Sequence, residues 1–207
     1  MKYAVAMRRR RNRLPYSLVA GKVVIQVGAP HDTLHSGRSR GFSFAQLAGQ
    51  TGRVVIIEPN PESVRQLRVM LKRFGLNNTT VVESGVWSAS GRIRIYIDPE
   101  HPATSFTEGT VGYPPERLKD YQLVEVDCRT IDGVVQELGL DRVDLLSVTT
   151  NWAEREILKG AAKTLSDGVK FVSLAQGAEG DTFDYEMGEL GYQLLGEDDR
   201  GVTYRRI

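Results

Sequence analysis

The sequence predicts one α/β domain with a mainly parallel sheet, helices on both faces and an antiparallel hairpin near its C-terminal end. Its 207 residues fit a single domain, and short apolar runs alternate with amphipathic segments along most of it. The apolar run 22–28 ends in small residues, and the next apolar run, 53–58, ends in a carboxylate. We therefore divide the chain into a basic N-terminal arm, 1–21, and a domain, 22–207.

The first half of the domain alternates strands and helices as a parallel sheet requires. Asn60-Pro61-Glu62 is typical of an N-cap, a first-turn proline and a first-turn acid, and Gly75 ends that helix. The predicted elements of this half are strands at 22–28, 53–58 and 79–84, a loop at Ala29–Gly37, and helices at 39–50 and from Pro61 to Gly75.

The second half adds one unusual strand and a long loop. Ile93, Ile95 and Ile97 alternate with polar residues, which predicts a strand at 92–98 with one wet face. Residues 99–119 hold four prolines and two glycines, so we expect a functional or mobile loop. The remaining predicted elements are strands at 123–129, 143–149 and 169–175, helices ending near 139 and at 152–166 and 182–191, and a hairpin of 192–195 with 202–206.

Composition and motifs exclude several functional classes. The net charge is +1, with 41% hydrophobic and 26% charged residues, as in an ordinary soluble domain. One cysteine, Cys128, excludes an internal disulfide framework, and no apolar run approaches the length of a membrane span, so we expect a cytoplasmic protein. Cys128 shares a strand face with valines, which favours an inert buried thiol. Neither G-x-G-x-x-G nor G-x-x-x-x-G-K-[ST] occurs, which disfavours NAD and ATP.

Several segments, in order, resemble one protein family. They are Val27-Gly28-Ala29, Ile57-Glu58-Pro59-Asn60-Pro61, Gly75–Asn78, Ile95–Pro99 ahead of Ala103–Ser105, Val126–Asp132, Leu138–Leu146 and Glu156–Ala161. Over roughly 22–195 the chain is similar to the FkbM family of S-adenosylmethionine-dependent methyltransferases. The resemblance implies a Rossmann-like class I methyltransferase fold, S-adenosylmethionine as cofactor, and O-methylation of a sugar or other small hydroxylated acceptor.

The predicted cofactor residues lie at strand ends. Gly28 and Ala29 form either a cofactor loop, whose backbone N–H groups would face the cofactor, or an ordinary turn. Pro30 removes one backbone donor that a cofactor loop would use. The two oxygens of Glu58 match a ribose diol; the alternative is a solvated strand-end acid. Asn60 is better explained as a helix cap, and the resemblance places Ser84 and Gly85 beside the adenine. The predicted cofactor set is Gly28, Ala29, Pro30, Glu58, Pro59, Asn60, Ser84, Gly85 and Thr149.

The chain departs from the family at several of these ends. The family's usual Asp is Gln26 here, its Gly is Asp32, and its Asp-Val-Glu-Gly-Ala-Glu segment appears as Thr149-Thr150-Asn151-Trp152-Ala153-Glu154. The acid expected after the next strand falls on Ala175 or Gln176. Because open α/β sheets keep their chemistry at the carboxyl ends of strands, these changes bear on activity.

The predicted catalytic residues are His31, Asn151 and Glu154. A near-neutral pKa suits His31 as a base, with His101 as a second candidate. Asn151 and Glu154 either face substrate or form a helix-capping pair. Trp152 either encloses the acceptor or packs under the helix. No metal is predicted, because His31 and His35 have no third ligand.

Two functions remain open from the sequence. The first is an O-methyltransferase acting on a small hydroxylated molecule. The second is a degenerate methyltransferase-fold protein that serves as a binding or partner subunit, as the acids lost at Gln26, Thr149 and Asn151 indicate. The arginine run at 8–13 is favoured as a solvated tail over a contact for nucleic acid or an anionic surface, since interleaved aromatic residues are absent. The oligomeric state stays open.

Overall fold

The structure, a computed structural model, describes residues 10–175, 182–198 and 200–207. Its main element is a seven-stranded sheet with the order β10-β11-β9-β8-β1-β2-β3, beside a four-stranded sheet with the order β4-β7-β5-β6. The strands are β1 (Val23–Val27), β2 (Arg53–Glu58), β3 (Thr79–Glu83), β4 (Gly85–Val86), β5 (Gly91–Ile97), β6 (Phe106–Thr107), β7 (Gln122–Arg129), β8 (Leu145–Val148), β9 (Phe171–Ala175), β10 (Tyr192–Glu197) and β11 (Gly201–Arg206).

Short helices cover both faces of the main sheet. They are α1 (His31–His35), α2 (Arg40–Ala48), α3 (Pro61–Arg73), α4 (Ile131–Glu137), α5 (Glu154–Lys159), α6 (Ala162–Ser166) and α7 (Asp184–Glu189), with single 3₁₀ turns at Tyr16–Leu18, Pro102–Thr104 and Pro115–Leu118. Among the residues that the structure describes, no helix has the length and apolar character needed to cross a bilayer.

Strand alternation divides the core into two clusters. Ile25 and Val55 point to one face of the sheet, where the helices after β7, β8 and β9 pack. Val24 and Ile56 point to the other face, against α2 and α3. Strands β1, β2, β3, β8 and β9 run parallel, and β11 pairs antiparallel with β9 and β10. Because a parallel sheet is covered on both sides, its strands are apolar at nearly every position.

The predicted strand at 92–98 is confirmed as β5, but it belongs to the second sheet. It pairs antiparallel with β6 and β7, away from the parallel array. Ile95 and Ile97 are buried, while Arg92 and Arg94 are exposed, as the alternation predicts. This second sheet stands beside the carboxyl ends of the parallel strands, where it forms one wall of the cleft described below.

Two local predictions are wrong, each for a physical reason, and one segment has a contact that the sequence did not indicate. The expected loop at 29–37 contains the helix α1, which Pro30 precedes. The expected helix at 152–166 is two helices, because the Asp132 carboxylate accepts the backbone N–H groups of Lys163 and Thr164 and so starts α6. Part of the predicted arm packs on the domain: Tyr16 is buried and its ring lies 5.5 Å from that of Phe44.

A buried ion pair fastens the terminal hairpin to the first long helix. Arg40 of α2 is 2% exposed. Its Nη2 donates to both carboxylate oxygens of Asp198, at 2.9 and 3.0 Å, in the turn between β10 and β11. Its Nη1 donates to the hydroxyl of Ser173 on β9 at 3.0 Å. A buried charge is tolerated only when it is paired and hydrogen-bonded, so this pair fixes the hairpin in one position.

Candidate functional site

A cleft of about 720 Å³, part of it open to solvent, lies between the carboxyl ends of the parallel strands and the second sheet. Most of the predicted cofactor residues line it, together with apolar residues of β5 and the loop after it. The lining residues used below are Gly28, Pro30, Glu58, Pro59, Asn60, Ser84, Gly85, Ile93, Ile95, Ile97, Phe106, Thr149, Thr150, Asn151 and Ala153.

Gly28 allows the ends of β1 and β8 to meet. Its φ is +86°, and a Cβ there would lie 2.5 Å from the backbone oxygen of Thr149. The close approach is fixed by Gln26, whose Nε2 donates to the Gly28 oxygen at 2.9 Å and to Thr149 Oγ1 at 2.7 Å. A carboxylate has no proton to donate in this way. The glutamine that replaces the family's acid is therefore a structural tie between two strand ends.

Glu58 is buried in the cleft wall and holds two loops. Its Oε2 accepts the backbone N–H of Ala29 at 2.6 Å, and its Oε1 accepts that of Asn60 at 3.0 Å. The residue is 5% exposed, and burial raises the pKa of its carboxyl to about 7 in spite of these two donors; the negative charge of Asp32 raises it further. Each carboxylate oxygen has two lone pairs, so each retains one acceptor direction. The alternative of a solvated strand-end acid is wrong.

The backbone donors that were expected to face a ligand are used within the fold. The N–H of Gly28 donates to the Ile57 oxygen, and that of His31 donates to Ser63 Oγ. Ala29 donates to Glu58, as described above, and Pro30 has no N–H to offer. This loop therefore does not offer the cleft the row of free N–H groups that the sequence pattern predicted.

The neighbouring ends of β2 and β3 complete this half of the cleft. Asn60 is confirmed as the cap of α3, because its Oδ1 accepts the N–H groups of Glu62 and Ser63 at 2.9 and 3.3 Å. Ser84 is buried, and its hydroxyl donates to the backbone oxygen of Asp127 at 3.2 Å. A Cβ on Gly85 would lie 2.7 Å from Ile93 Cδ1. The missing side chain of Gly85 thus lets β4 lie against the Ile93 side chain of β5 within the second sheet.

Across the cleft, Asn151 and Glu154 have different tasks. Asn151 Nδ2 donates to the carbonyl oxygens of Ala103 and Ser105, at 2.9 and 2.7 Å, and so fastens the long loop to the end of β8. Glu154 Oε1 accepts the N–H and the hydroxyl of Thr150 at 3.1 and 3.0 Å. The predicted capping pair is therefore half right: the glutamate reaches back, but the asparagine does not cap the helix.

Glu154 is buried but does not belong to the cleft lining. Burial raises the pKa of its carboxyl to about 7, against the lowering effect of hydrogen bonds from the backbone of Glu154, Thr150 and Trp152. A carboxyl in this position organises the turn between β8 and α5. Its predicted catalytic role would require it to reach substrate, which this placement does not support.

Trp152 does not pack under the helix. It has a φ of +67° and is 41% exposed. Its ring meets that of Tyr113 edge-on at 6.3 Å, and Tyr113 in turn meets Phe106, which lines the cleft, at 5.2 Å. The sequence patterns identified neither Tyr113 nor Phe106, because the loop that carries them shows no periodicity.

The histidines lie outside the cleft lining. His31 Nδ1 lies 3.1 Å from Ser63 Oγ, and its ring stacks edge-on against that of His35 at 5.6 Å. His101 is exposed. Within the described residues no group of side chains has the composition of a metal site. Cys128 is buried, and burial raises the pKa of its thiol. Arg8, Arg9 and Gln176 lie outside the described residues.

The fold and the site together define a class of protein: an α/β domain with a ligand cleft at the carboxyl ends of its parallel strands and an acid after β2. The sequence profile of the Methyltransferase FkbM domain matches residues 26–194. The chain therefore belongs to the FkbM methyltransferase family. No curated protein sequence matches it significantly.

A solved structure of the same family supports the fold. A methyltransferase FkbM from Methylobacillus flagellatus is 17% identical with a TM-score of 0.56, over 89% of this chain and 43% of that one. The chain thus spans less than half of that neighbour, and the likeness shows a Rossmann-like methyltransferase fold. Aeropyrum pernix fibrillarin, crystallised with natively bound S-adenosylmethionine, is 12% identical with a TM-score of 0.49, over 98% of this chain and 73% of that one.

Proposed function

We propose that this chain binds S-adenosylmethionine in the cleft and transfers its methyl group to a hydroxyl of a sugar or other small acceptor. Membership of the FkbM methyltransferase family supports the reaction class. The observation that carries the proposal is the placement of Glu58, which lines the cleft with both carboxylate oxygens fixed by backbone donors.

The residues present fit this cofactor. Two adjacent ribose hydroxyls are donors, and Glu58 offers one remaining acceptor direction on each oxygen. Gly28, Pro30 and Thr149 line the cleft where the amino-acid end would lie. Ser84 and Gly85, beside the apolar side chain of Ile93, would enclose the adenine. When bound, S-adenosylmethionine supplies an electrophilic methyl group on a sulfonium.

The side chains around the cleft would act mainly by alignment. Glu58 is the sole titratable side chain in the described lining, and it is occupied by the two loops. Holding the two reactants in line lowers the barrier without a dedicated base. The hydroxyl proton would pass to solvent at the open part of the cleft, and S-adenosylhomocysteine would be the leaving group. Asn151 contributes by fixing the loop that walls the cleft. His31, Asn151 and Glu154 are therefore proposed to position the site and not to exchange protons with substrate.

Calorimetric titration with S-adenosylmethionine and S-adenosylhomocysteine tests the proposal. We expect micromolar binding that Glu58→Ala weakens at least tenfold, about 1.4 kcal/mol. Glu83→Ala is the matched control, because Glu83 pairs in register with Glu58 on the adjacent strand but is exposed. No heat with folded protein free of co-purified cofactor would overturn the proposal, as would equal weakening by both variants.

The second candidate is a binding subunit that has lost methyl transfer. This second function is favoured by three positions at which the resemblance leads us to expect acids, namely Gln26, Thr149 and Asn151. Such a protein need not hold the cofactor, so the same titration separates the two functions. Retention of Glu58 in the cleft favours the enzyme.

A further inference from the structure

Trp152 combines two features that packing does not explain. Within the described residues it alone among non-glycine residues has a positive φ, +67°. The family segment that it belongs to carries a glycine there, which adopts this conformation without strain. An L-residue in the left-handed region costs on the order of 1 kcal/mol, and such strain concentrates at functional sites. The residue is 41% exposed, so part of its large aromatic surface faces solvent.

We propose that the indole of Trp152 and the ring of Tyr113 form the acceptor subsite, where they hold the apolar C–H face of a hydroxylated ring such as a pyranoside. This inference rests on the proposed function and names the surface beside the cleft that would select the acceptor. It assigns a binding role to a residue that replaces the family's glycine.

The two rings adjoin the cleft lining without belonging to it. Trp152 lies between Asn151 and Ala153, both of which line the cleft. Its ring and that of Tyr113 meet at 85°, so they present a corner of two aromatic surfaces. Phe106, in the lining, meets Tyr113 at 88° and connects this corner to the interior.

The chemistry of this corner favours a ring with one apolar face and a hydroxyl edge. Aromatic faces provide apolar area for such a ring, while the indole N–H remains a donor. Deeper in the cleft, the side chains of Ile95 and Ile97 are apolar, and Thr107 and Thr150 supply hydroxyl groups. An acceptor held at the corner would therefore direct its hydroxyl groups toward these threonines, which lie in a lining that is otherwise mainly apolar.

The corner is held in place from two sides. Asn151, next to Trp152, fastens the backbone of Ala103 and Ser105. The Arg117 guanidinium stacks on the ring of Tyr113 with its Cζ 3.9 Å from the centroid, and the described residues give Arg117 no ion pair. An ordered surface loses less entropy when it binds a ligand, so this arrangement suits a recognition site.

Nitrogen-15 NMR of the indole N–H groups tests the inference, because the chain has two tryptophans, Trp87 and Trp152. The probes are methyl pyranosides (glucoside, mannoside, galactoside and rhamnoside) at millimolar concentration. We expect at least one of them to shift the Trp152 resonance and to leave that of Trp87 unchanged. The Trp152→Gly variant, which restores the family's residue and relieves the strain, should bind that pyranoside at least tenfold more weakly.

Two controls separate this inference from the proposed function. Tyr185→Ala removes an aromatic ring that is 77% exposed elsewhere and should leave pyranoside binding unchanged. Trp152→Gly should keep the wild-type affinity for S-adenosylmethionine, since Glu58 is intact. If the cofactor binds but no pyranoside shifts Trp152, or both indoles shift alike, the acceptor subsite is wrong while the proposed function stands. If the cofactor does not bind, the proposed function fails on its own measurement.

Discussion

Each of the two sides of the cleft has a buried glutamate that accepts hydrogen bonds at a turn, but only one of the two glutamates lines the cleft. On the side of β1 and β2, Glu58 accepts backbone N–H groups from two loops and lines the cleft. On the side of β8, Glu154 accepts the N–H and hydroxyl of Thr150 but stays behind the lining. A buried glutamate thus marks an organised turn in both places, and only its position decides whether a ligand meets it.

The two sides also share a second feature: at positions where the resemblance leads us to expect acids, each has an amide side chain that donates hydrogen bonds. On the first side, Gln26 stands in for an aspartate and donates to Gly28 and Thr149. On the second, Asn151 stands in for a glutamate and donates to two carbonyl groups of the long loop. Both amides give hydrogen bonds that a carboxylate cannot give. At two positions where the resemblance leads us to expect acids, this chain therefore has amides that join separate segments of the cleft wall.

The largest expected effect separates the two glutamates. Both Glu58→Ala and Glu154→Ala leave buried backbone donors without acceptors, so each should lower the free energy of unfolding by about 3 kcal/mol. For a chain of this size that corresponds to a fall in Tm of about 6–12 °C. Only Glu58→Ala should also weaken binding of S-adenosylmethionine. Thermal denaturation and calorimetry at pH 6 measure both quantities, and a cofactor affinity lost equally in Glu154→Ala would contradict the comparison.

A pH titration should show that both carboxyls keep their protons in the folded protein up to about pH 7 and ionise above it. Each has its pKa raised from 4.5 to about 7 by burial. Between these values the unfolded chain has released the proton and the folded chain has not, so the free energy of unfolding falls as pH rises from about 4.5 to about 7 and then levels off. Glu154→Gln removes this loss.

The Glu154→Gln variant should therefore gain about 2 kcal/mol relative to wild type on going from pH 4 to pH 8. Urea denaturation at the two pH values measures the gain. Other titrating groups contribute equally to both proteins and cancel in the difference. Denaturation midpoints that change in parallel would show that Glu154 ionises at an ordinary pH.

The cofactor side was largely predictable from sequence, because its features are local. The strand ends at Glu58, the cap at Asn60 and the turn at Gly28 each follow from a few consecutive residues. What the pattern missed there is that Glu58 takes up the N–H of Ala29, a contact across 29 positions. The prediction of free backbone donors failed for that reason.

The acceptor side was not predictable in the same way. Asn151 meets Ala103 and Ser105 across 48 and 46 positions, within a loop without periodicity. The placement of β5 in a second sheet likewise depends on its pairing with β7, which its own alternation does not reveal. Sequence alternation fixes which face of a strand is buried, but it does not identify the partner strand.

Asn151→Asp should weaken the attachment of the long loop to the end of β8 and leave the cofactor side of the cleft unchanged. The aspartate has no donors and places a negative charge against two carbonyl oxygens, so we expect a loss of about 1–2 kcal/mol in stability. Trypsin should cut faster after Arg117 and Lys119, while cofactor affinity stays within twofold of wild type. Asn60→Asp, which retains an oxygen that can cap α3, is the matched control. Unchanged proteolysis would show that Asn151 does not hold the loop.

The smallest effect concerns the backbone of Trp152. With a φ of +67° there, glycine should be more stable than alanine by about 0.5–1 kcal/mol, because glycine adopts this conformation without a steric penalty. Val69 is exposed on the helix α3. There the alanine variant should be more stable than the glycine variant by about 1 kcal/mol, since glycine is unfavourable inside helices. Urea denaturation of the four variants measures both differences. If alanine were the more stable residue at both positions, the backbone of Trp152 would not be strained in solution, and the exposed indole would need no functional reason.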